Sequence, residues 1–105
     1  MIATEFTDLI NQLKKIDINN TIDYYEIVDK EVELLTRNVD ETLEFISQLT
    51  DELEFVYMSE TLVKIASKER NDTIIKAYEK NTEKFPNALK RFNIKNMIEY
   101  AKQRI

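Results

Sequence analysis

The sequence predicts an all-α protein, a single domain of five to six short antiparallel helices that form a HEAT-like helical stack or an irregular bundle. Apolar residues recur at spacings of three and four, which is the period of a helix. No segment combines the alternation of a strand with turn glycines, so strands are not expected. A chain of 105 residues suits one domain, residues 1–105, with one hydrophobic core.

The first three helices are predicted from apolar stripes and capping residues. Helix one follows a cap at Thr4, and a second helix, capped by Asn20 or Thr21, ends at Asn38. Asn38 stands where many helices have a left-handed glycine. A third helix runs from Asp40 to Leu49, and acids in its first turn suit the helix dipole. The stripe of helix one consists of Phe6, Leu9, Ile10, Leu13 and Ile16.

A fourth helix is predicted to begin at Thr50, a capping residue followed by two acids, and to continue to about Lys68. Its apolar residues form two stripes on nearly opposite sides, one through Phe55 and Met58 and the other through Val56 and Tyr57. A helix that is apolar on two sides is normally packed on two sides. We therefore expect this helix in the middle of the fold.

Two further helices complete the prediction. One begins at Asn71 or Asp72 and is stopped by Pro86, because the residue before a proline is disfavoured in the helical region. The last helix follows Asn93, and its apolar stripe reaches Ile105. The C-terminal residues are therefore expected to dock onto the core.

The composition excludes many kinds of site. The chain has no glycine, histidine, cysteine or tryptophan, which removes catalytic triads, thiol chemistry, zinc sites and glycine-rich phosphate loops. The first ten residues carry acids where a secretory signal would have a basic and then an apolar stretch, and no apolar run is long enough to span a membrane. These features predict a cytoplasmic protein that is not an enzyme and has no cofactor and no metal ligands.

Charge is unevenly distributed along the chain. Residues 1–60 carry fifteen Asp and Glu against four Lys and Arg, whereas residues 61–105 carry five against eleven. Either the halves neutralise each other in the fold, or one half presents a single-sign face to a partner. Neither half combines basic and aromatic residues in a cluster, so nucleic acid is not an expected partner.

Carboxylates one helical turn apart leave one enzymatic alternative open, because such pairs can hold magnesium. Three pairs have this spacing, namely Glu26 with Asp29, Glu41 with Glu44, and Asp51 with Glu54. The spacing resembles the metal ligands of all-helical, magnesium-dependent nucleoside triphosphate pyrophosphatases. The order of the Glu-x-x-Glu and Glu-x-x-Asp pairs is reversed here, and the lysines that accompany them in that family are missing.

Residues 45–101 contain a Leu-Thr-Asp-Glu helix start, a Ser-Glu helix with Ile-Ala, a Phe-Pro stop and a final Asn-Ile and Ile-Glu-Tyr-Ala helix. This pattern resembles small acidic helical proteins of Gram-positive bacteria that are commonly taken as immunity proteins to polymorphic or contact-delivered toxins. The matching positions are Leu49 to Leu53, Ser59, Glu60, Ile65, Ala66, Phe85, Pro86, Asn93, Ile94 and Ile98 to Ala101. The resemblance implies a protein-binding function without a catalytic motif.

The expected function is therefore that of a protein-binding module, most simply an immunity protein that neutralises a toxin. The toxin could be a nuclease, because an acidic helical face would bind a cationic cleft and accelerate association. A small regulatory or phage-encoded adaptor is a further alternative. The candidate partner-binding residues lie where the third predicted helix ends and the fourth begins, and are Asp40, Glu41, Glu44, Asp51, Glu52, Glu54 and, as an aromatic anchor, Tyr57.

Overall fold

Eight α-helices and one 3₁₀ turn make up most of the chain in a computed structural model that describes residues 2–17 and 19–105. The described residues contain no strand, which confirms the all-α prediction. None of the described helices is long and apolar enough to cross a membrane. The elements are α1 (Ile2–Lys14), α2 (Thr21–Arg37), α3 (Val39–Gln48), α4 (Glu52–Ser59), α5 (Leu62–Glu69), α6 (Thr73–Asn81), a 3₁₀ turn (Thr82–Lys84), α7 (Pro86–Arg91) and α8 (Ile94–Gln103).

Helix α1 begins earlier than its predicted cap. Thr4 lies exposed inside the first turn, since the helix already starts at Ile2. Burial of Ile2 extends the apolar stripe of Phe6, Ile10 and Leu13 by one turn toward the N-terminus. This additional buried contact favours the earlier start over a cap at Thr4.

Two asparagines form the joints around α2. Asn20 Oδ1 accepts the N–H of Asp23 (3.2 Å), which confirms the predicted cap. Asn38 follows the last residue of α2, but its φ of −141° is extended, so the expected left-handed conformation is wrong. The reason is that Asn38 also caps α3, where its side chain accepts the N–H of Glu41 (3.1 Å), and an N-cap residue takes extended backbone angles.

The predicted long fourth helix is two helices, α4 and α5, separated at Glu60 and Thr61. The hydroxyl groups of Ser59 and Thr61 donate to the carbonyls of Val56 and Met58 at 2.6 Å each. The backbone N–H groups of Glu60 and Thr61 bond three residues back rather than four, which tightens the chain into a 3₁₀-like turn. The break leaves α4 packed against α1 and α8, and α5 against α2, α6 and α8.

Pro86 starts helix α7, whereas the predicted helix that it should stop, α6, already ends at Asn81 and is followed by the 3₁₀ turn Thr82–Lys84. Phe85 leaves the helical region (φ −130°), as expected before proline, and Pro86 then occupies the first turn of α7. Proline suits that position because the first N–H groups of a helix have no partner within the helix. The extra helix α7 and the division of the fourth helix account for eight helices instead of the predicted five to six.

The C-terminal helix is buried through Ile94, Ile98 and Ala101. It ends at Gln103, and Ile105 is 47% exposed, so the expected docking of the final residue is wrong.

The core is centred on an aromatic stack. The ring of Phe55 stacks on Tyr78 (centroids 4.3 Å apart) and on Phe85 (4.5 Å), while the buried Tyr78 hydroxyl donates to the Phe55 carbonyl at 2.8 Å. The most extensive helix pairs are α1 with α2, α3 with α6, and α5 with α8. Two of these pairs join helices that are distant in sequence, and the dimensions are nearly equal (32 × 29 × 28 Å). These features match the irregular bundle of the two predicted arrangements.

Candidate functional site

The predicted acidic residues of α3 lie on its exposed side beside the start of α1. Glu41 Oε1 accepts the backbone N–H of Ile2 (3.3 Å), so this carboxylate stabilises the N-terminus of α1. Glu41 and Glu44 line a groove of about 160 Å³ together with Ile2 and Phe45. Asp40 is exposed in the first turn of α3.

The acidic residues of α4 have different roles. Asp51 Oδ1 accepts the N–H groups of Leu53 (2.8 Å) and Glu54 (3.1 Å), so Asp51 is the cap of α4 and the predicted cap at Thr50 is wrong. Two N–H groups reach one carboxylate oxygen, and the carboxylate charge also suits the helix N-terminus.

Both acidic groups border the same helix, α1. Glu54, on α4, accepts a hydrogen bond from the Thr7 hydroxyl (2.5 Å), and Thr7 lies five residues along α1 from Ile2, which donates to Glu41. Glu41, Asp51 and Glu54 therefore have structural partners. Asp40 and Glu52 are exposed and make no side-chain hydrogen bond or ion pair within the described residues, and the exposed Glu44 contacts only Gln48 of its own helix through its carboxylate (3.4 Å).

Tyr57 is half-buried and packs against both apolar clusters of the core. One cluster contains most of the core, including Phe55 and Leu35, and the smaller one is built on Leu13, Ile27 and Val28. Tyr57 therefore joins the two clusters, and only part of its ring is accessible to a partner.

Few ion pairs join the acidic half of the chain, residues 1–60, to the basic half, residues 61–105. Of the four ion pairs among the described residues, one joins the halves, and the other three lie within a half. The joining pair is Lys64 with Asp29 (2.5 Å), and the others are Arg37 with Glu5 (3.9 Å), Lys76 with Asp72 (3.0 Å) and Lys102 with Glu79 (2.8 Å). The acidic side chains of α3 and α4 thus have no ion-pair partner among the described residues.

The three carboxylate pairs with metal-ligand spacing remain separate. Asp29 is bound by Lys64, and Asp51 caps α4. Within residues 2–17 and 19–105, no group of three or more acidic side chains is arranged to hold a metal ion.

A second candidate site, which the sequence did not reveal, lies where α2 meets the break between α4 and α5. Tyr24 and Tyr25 contact each other edge to face (centroids 5.5 Å apart), and the Tyr24 hydroxyl donates to Glu60 Oε2. Burial raises the pKa of the Glu60 carboxyl. Glu60 and Tyr24 are 36 residues apart, so no local pattern could have paired them.

The burial of Glu31 is not among the predictions made from the sequence. Glu31 is 0% exposed on α2, and neither carboxylate oxygen has a hydrogen-bond partner among the described residues. Burial raises its pKa from the ordinary 4.5 to about 8. Its position could have been noticed, since Glu31 lies three or four residues from Ile27, Val28, Leu34 and Leu35 on the buried stripe.

No protein-family model matches the chain, and comparison with curated proteins and with solved structures found no significant similarity. The candidate sites therefore depend on the geometry and chemistry of this chain alone.

Proposed function

We propose that the chain is a protein-binding module of the immunity-protein class, which neutralises a bacterial toxin in the cytoplasm by occupying a cationic cleft. Its binding surface, which we call the acidic surface, comprises the exposed side of α3 and the first turns of α4. The acidic surface consists of Asp40, Glu41, Glu44, Asp51, Glu52 and Glu54, with the accessible edge of Tyr57.

The observation that carries this proposal is the charge of the acidic surface, which no basic side chain of the chain offsets by an ion pair within the described residues. Uncompensated exposed acids contribute little to stability, because exposed charges are well solvated. They do attract a basic partner over distances of about 10 Å at moderate salt, which raises the association rate.

Different acids within the acidic surface serve different ends. Glu41, Asp51 and Glu54 stabilise the helix arrangement through the contacts described above. Asp40, Glu44 and Glu52 project outward, and we assign recognition to these three. This division matters for mutagenesis, because reversing a capping acid would weaken the fold together with binding.

The candidate partner is the product of a gene next to this one, because an immunity gene is expected beside its toxin gene. Expression of that neighbour in a bacterial host should arrest growth, and co-expression of this chain should restore it. Purified proteins should then bind with nanomolar affinity that weakens steeply as salt increases.

Two results would contradict the proposal. One is growth arrest by the neighbouring product that this chain does not relieve. The other is magnesium-dependent hydrolysis of nucleoside triphosphates by this chain that is lost on replacing Glu41 and Glu44 with glutamine, which would favour the enzymatic alternative. Salt-insensitive binding through residues 61–105 would leave the proposed protein-binding function intact but would exclude the acidic surface as the binding site.

A further inference from the structure

A pocket of about 280 Å³ lies between α2, the end of α4, α5 and α8, and we call it the tyrosine pocket. Its lining consists of Tyr24, Tyr25, Val28, Glu60, Lys64 and Met97. The pocket is slightly smaller than typical small-molecule sites of about 300–1,000 Å³.

The walls of the tyrosine pocket are apolar and aromatic, and its acidic group is incompletely satisfied. Glu60 Oε2 accepts the Tyr24 hydroxyl, whereas Oε1 has no hydrogen bond and the carboxylate has no ion pair within the described residues. A carboxylate that is partly buried beside aromatic rings favours a cationic ligand, because the cation gains from both the charge and the rings.

The protein's own Lys64 already places a cation against the aromatic wall of the pocket. Its ammonium group lies 5.3 Å from the centre of the Tyr25 ring and is held at the pocket edge by Asp29 (2.5 Å). Lys64 is thus engaged with Asp29 rather than with Glu60. Tyr25 is 54% exposed, so part of its ring is accessible to a ligand.

We propose that the tyrosine pocket binds an arginine side chain presented by a protein partner. A guanidinium group is planar, stacks on aromatic rings and donates several hydrogen bonds to a carboxylate, whereas an ammonium group is a more strongly hydrated point charge. The arginine stem contacts Tyr24 and Met97, and the guanidinium donates to Glu60 Oε1. The site involves other residues than the acidic surface and does not depend on the proposed function.

The test is an NMR titration of the full-length protein with N-acetyl-arginine methylamide. Saturable shifts are expected at Tyr24, Tyr25 and the Met97 methyl group. The neutral citrulline analogue, which has nearly the same shape, should bind at least about tenfold more weakly, because the charge is lost. Glu60→Gln should weaken binding of the arginine probe to the same level.

Two variants keep the result interpretable. Glu26→Gln changes an exposed acid next to Tyr25 and should bind the probe like the wild type. Tyr25→Ala removes an exposed ring, and should weaken binding while leaving the folded NMR spectrum intact. The proposal is overturned if the probe causes no saturable shifts, if the citrulline analogue binds equally well, or if Glu60→Gln and Tyr25→Ala both bind like the wild type.

Discussion

Glu31 should make the stability of this protein depend on pH with a sign opposite to that of a salt-bridged carboxylate. Its pKa is about 8 in the folded chain and near the ordinary value of 4.5 when unfolded. The fold therefore favours the protonated, neutral form. The stability that the protonated Glu31 contributes is fully present below about pH 4.5 and is lost as pH rises to about 8.

The size of this change in stability follows from the difference between the two pKa values of Glu31. Each pH unit between the two pKa values changes the free energy of unfolding by about 1.4 kcal/mol, which amounts to about 3.5 kcal/mol between about pH 5 and about pH 8. A domain of this size is stable by only about 5–15 kcal/mol, so the effect is large enough to measure.

The assay is urea unfolding, followed by far-UV circular dichroism, of wild type and Glu31→Gln across this pH range. The amide cannot titrate, so the free energy of unfolding of the variant should rise by about 3.5 kcal/mol relative to that of wild type as pH increases from about 5 to about 8. The comparison between proteins is necessary because the Glu60 carboxyl also has a raised pKa and contributes to both curves.

Glu33→Gln is the matched control, since Glu33 is exposed on the same helix two residues away. The free energy of unfolding of this variant should change with pH in the same way as that of wild type. Parallel curves for Glu31→Gln and wild type would show that Glu31 does not titrate with a raised pKa in the fold, and would contradict its buried, unpartnered environment.

Three further predictions concern stability and are each checked by urea unfolding at neutral pH. Asp51→Ala should cost about 1 kcal/mol because it removes the cap of α4, whereas Thr50→Ala should have little effect; equal losses would mean that both residues share the cap. Arg70→Gly should stabilise by about 0.5–1 kcal/mol, because Arg70 has a left-handed φ of 56° after α5, and a loss of stability would contradict that conformation. Tyr78→Phe should cost about 0.5–1.5 kcal/mol, because the buried hydrogen bond from the Tyr78 hydroxyl to the Phe55 carbonyl would be lost; unchanged stability would mean that this bond does not form.

Local chemistry made parts of the fold predictable from the sequence. The cap at Asn20 depends on residues within one turn of each other, and the buried stripe of α8 repeats at helical spacing. The exposed acids at the start of α3 could also be placed, since acids favour the first turn of a helix.

Other features depend on side-chain hydrogen bonds that compete with the helix, or on contacts between residues that are distant in sequence. The break between α4 and α5 arises because the hydroxyl groups of Ser59 and Thr61 bond to backbone carbonyls, while the apolar pattern alone suggests an unbroken helix. The pairing of Tyr24 with Glu60 and the contact of Glu54 with Thr7 bring together residues 36 and 47 positions apart. Such contacts follow from the tertiary arrangement, which periodicity does not specify.

The proposed binding role of the acidic surface is tested most directly by measuring the association rate with the product of the neighbouring gene over a range of salt concentrations. Wild type is compared with the triple variant Asp40→Lys, Glu44→Lys and Glu52→Lys, and with a control of equal charge change, Asp8→Lys, Glu26→Lys and Glu33→Lys, on exposed positions of α1 and α2. We predict that the acidic-surface variant loses most of the association rate and of its salt dependence, while the control keeps most of both. Equal effects of the two variants, or none from either, would contradict recognition through the acidic surface.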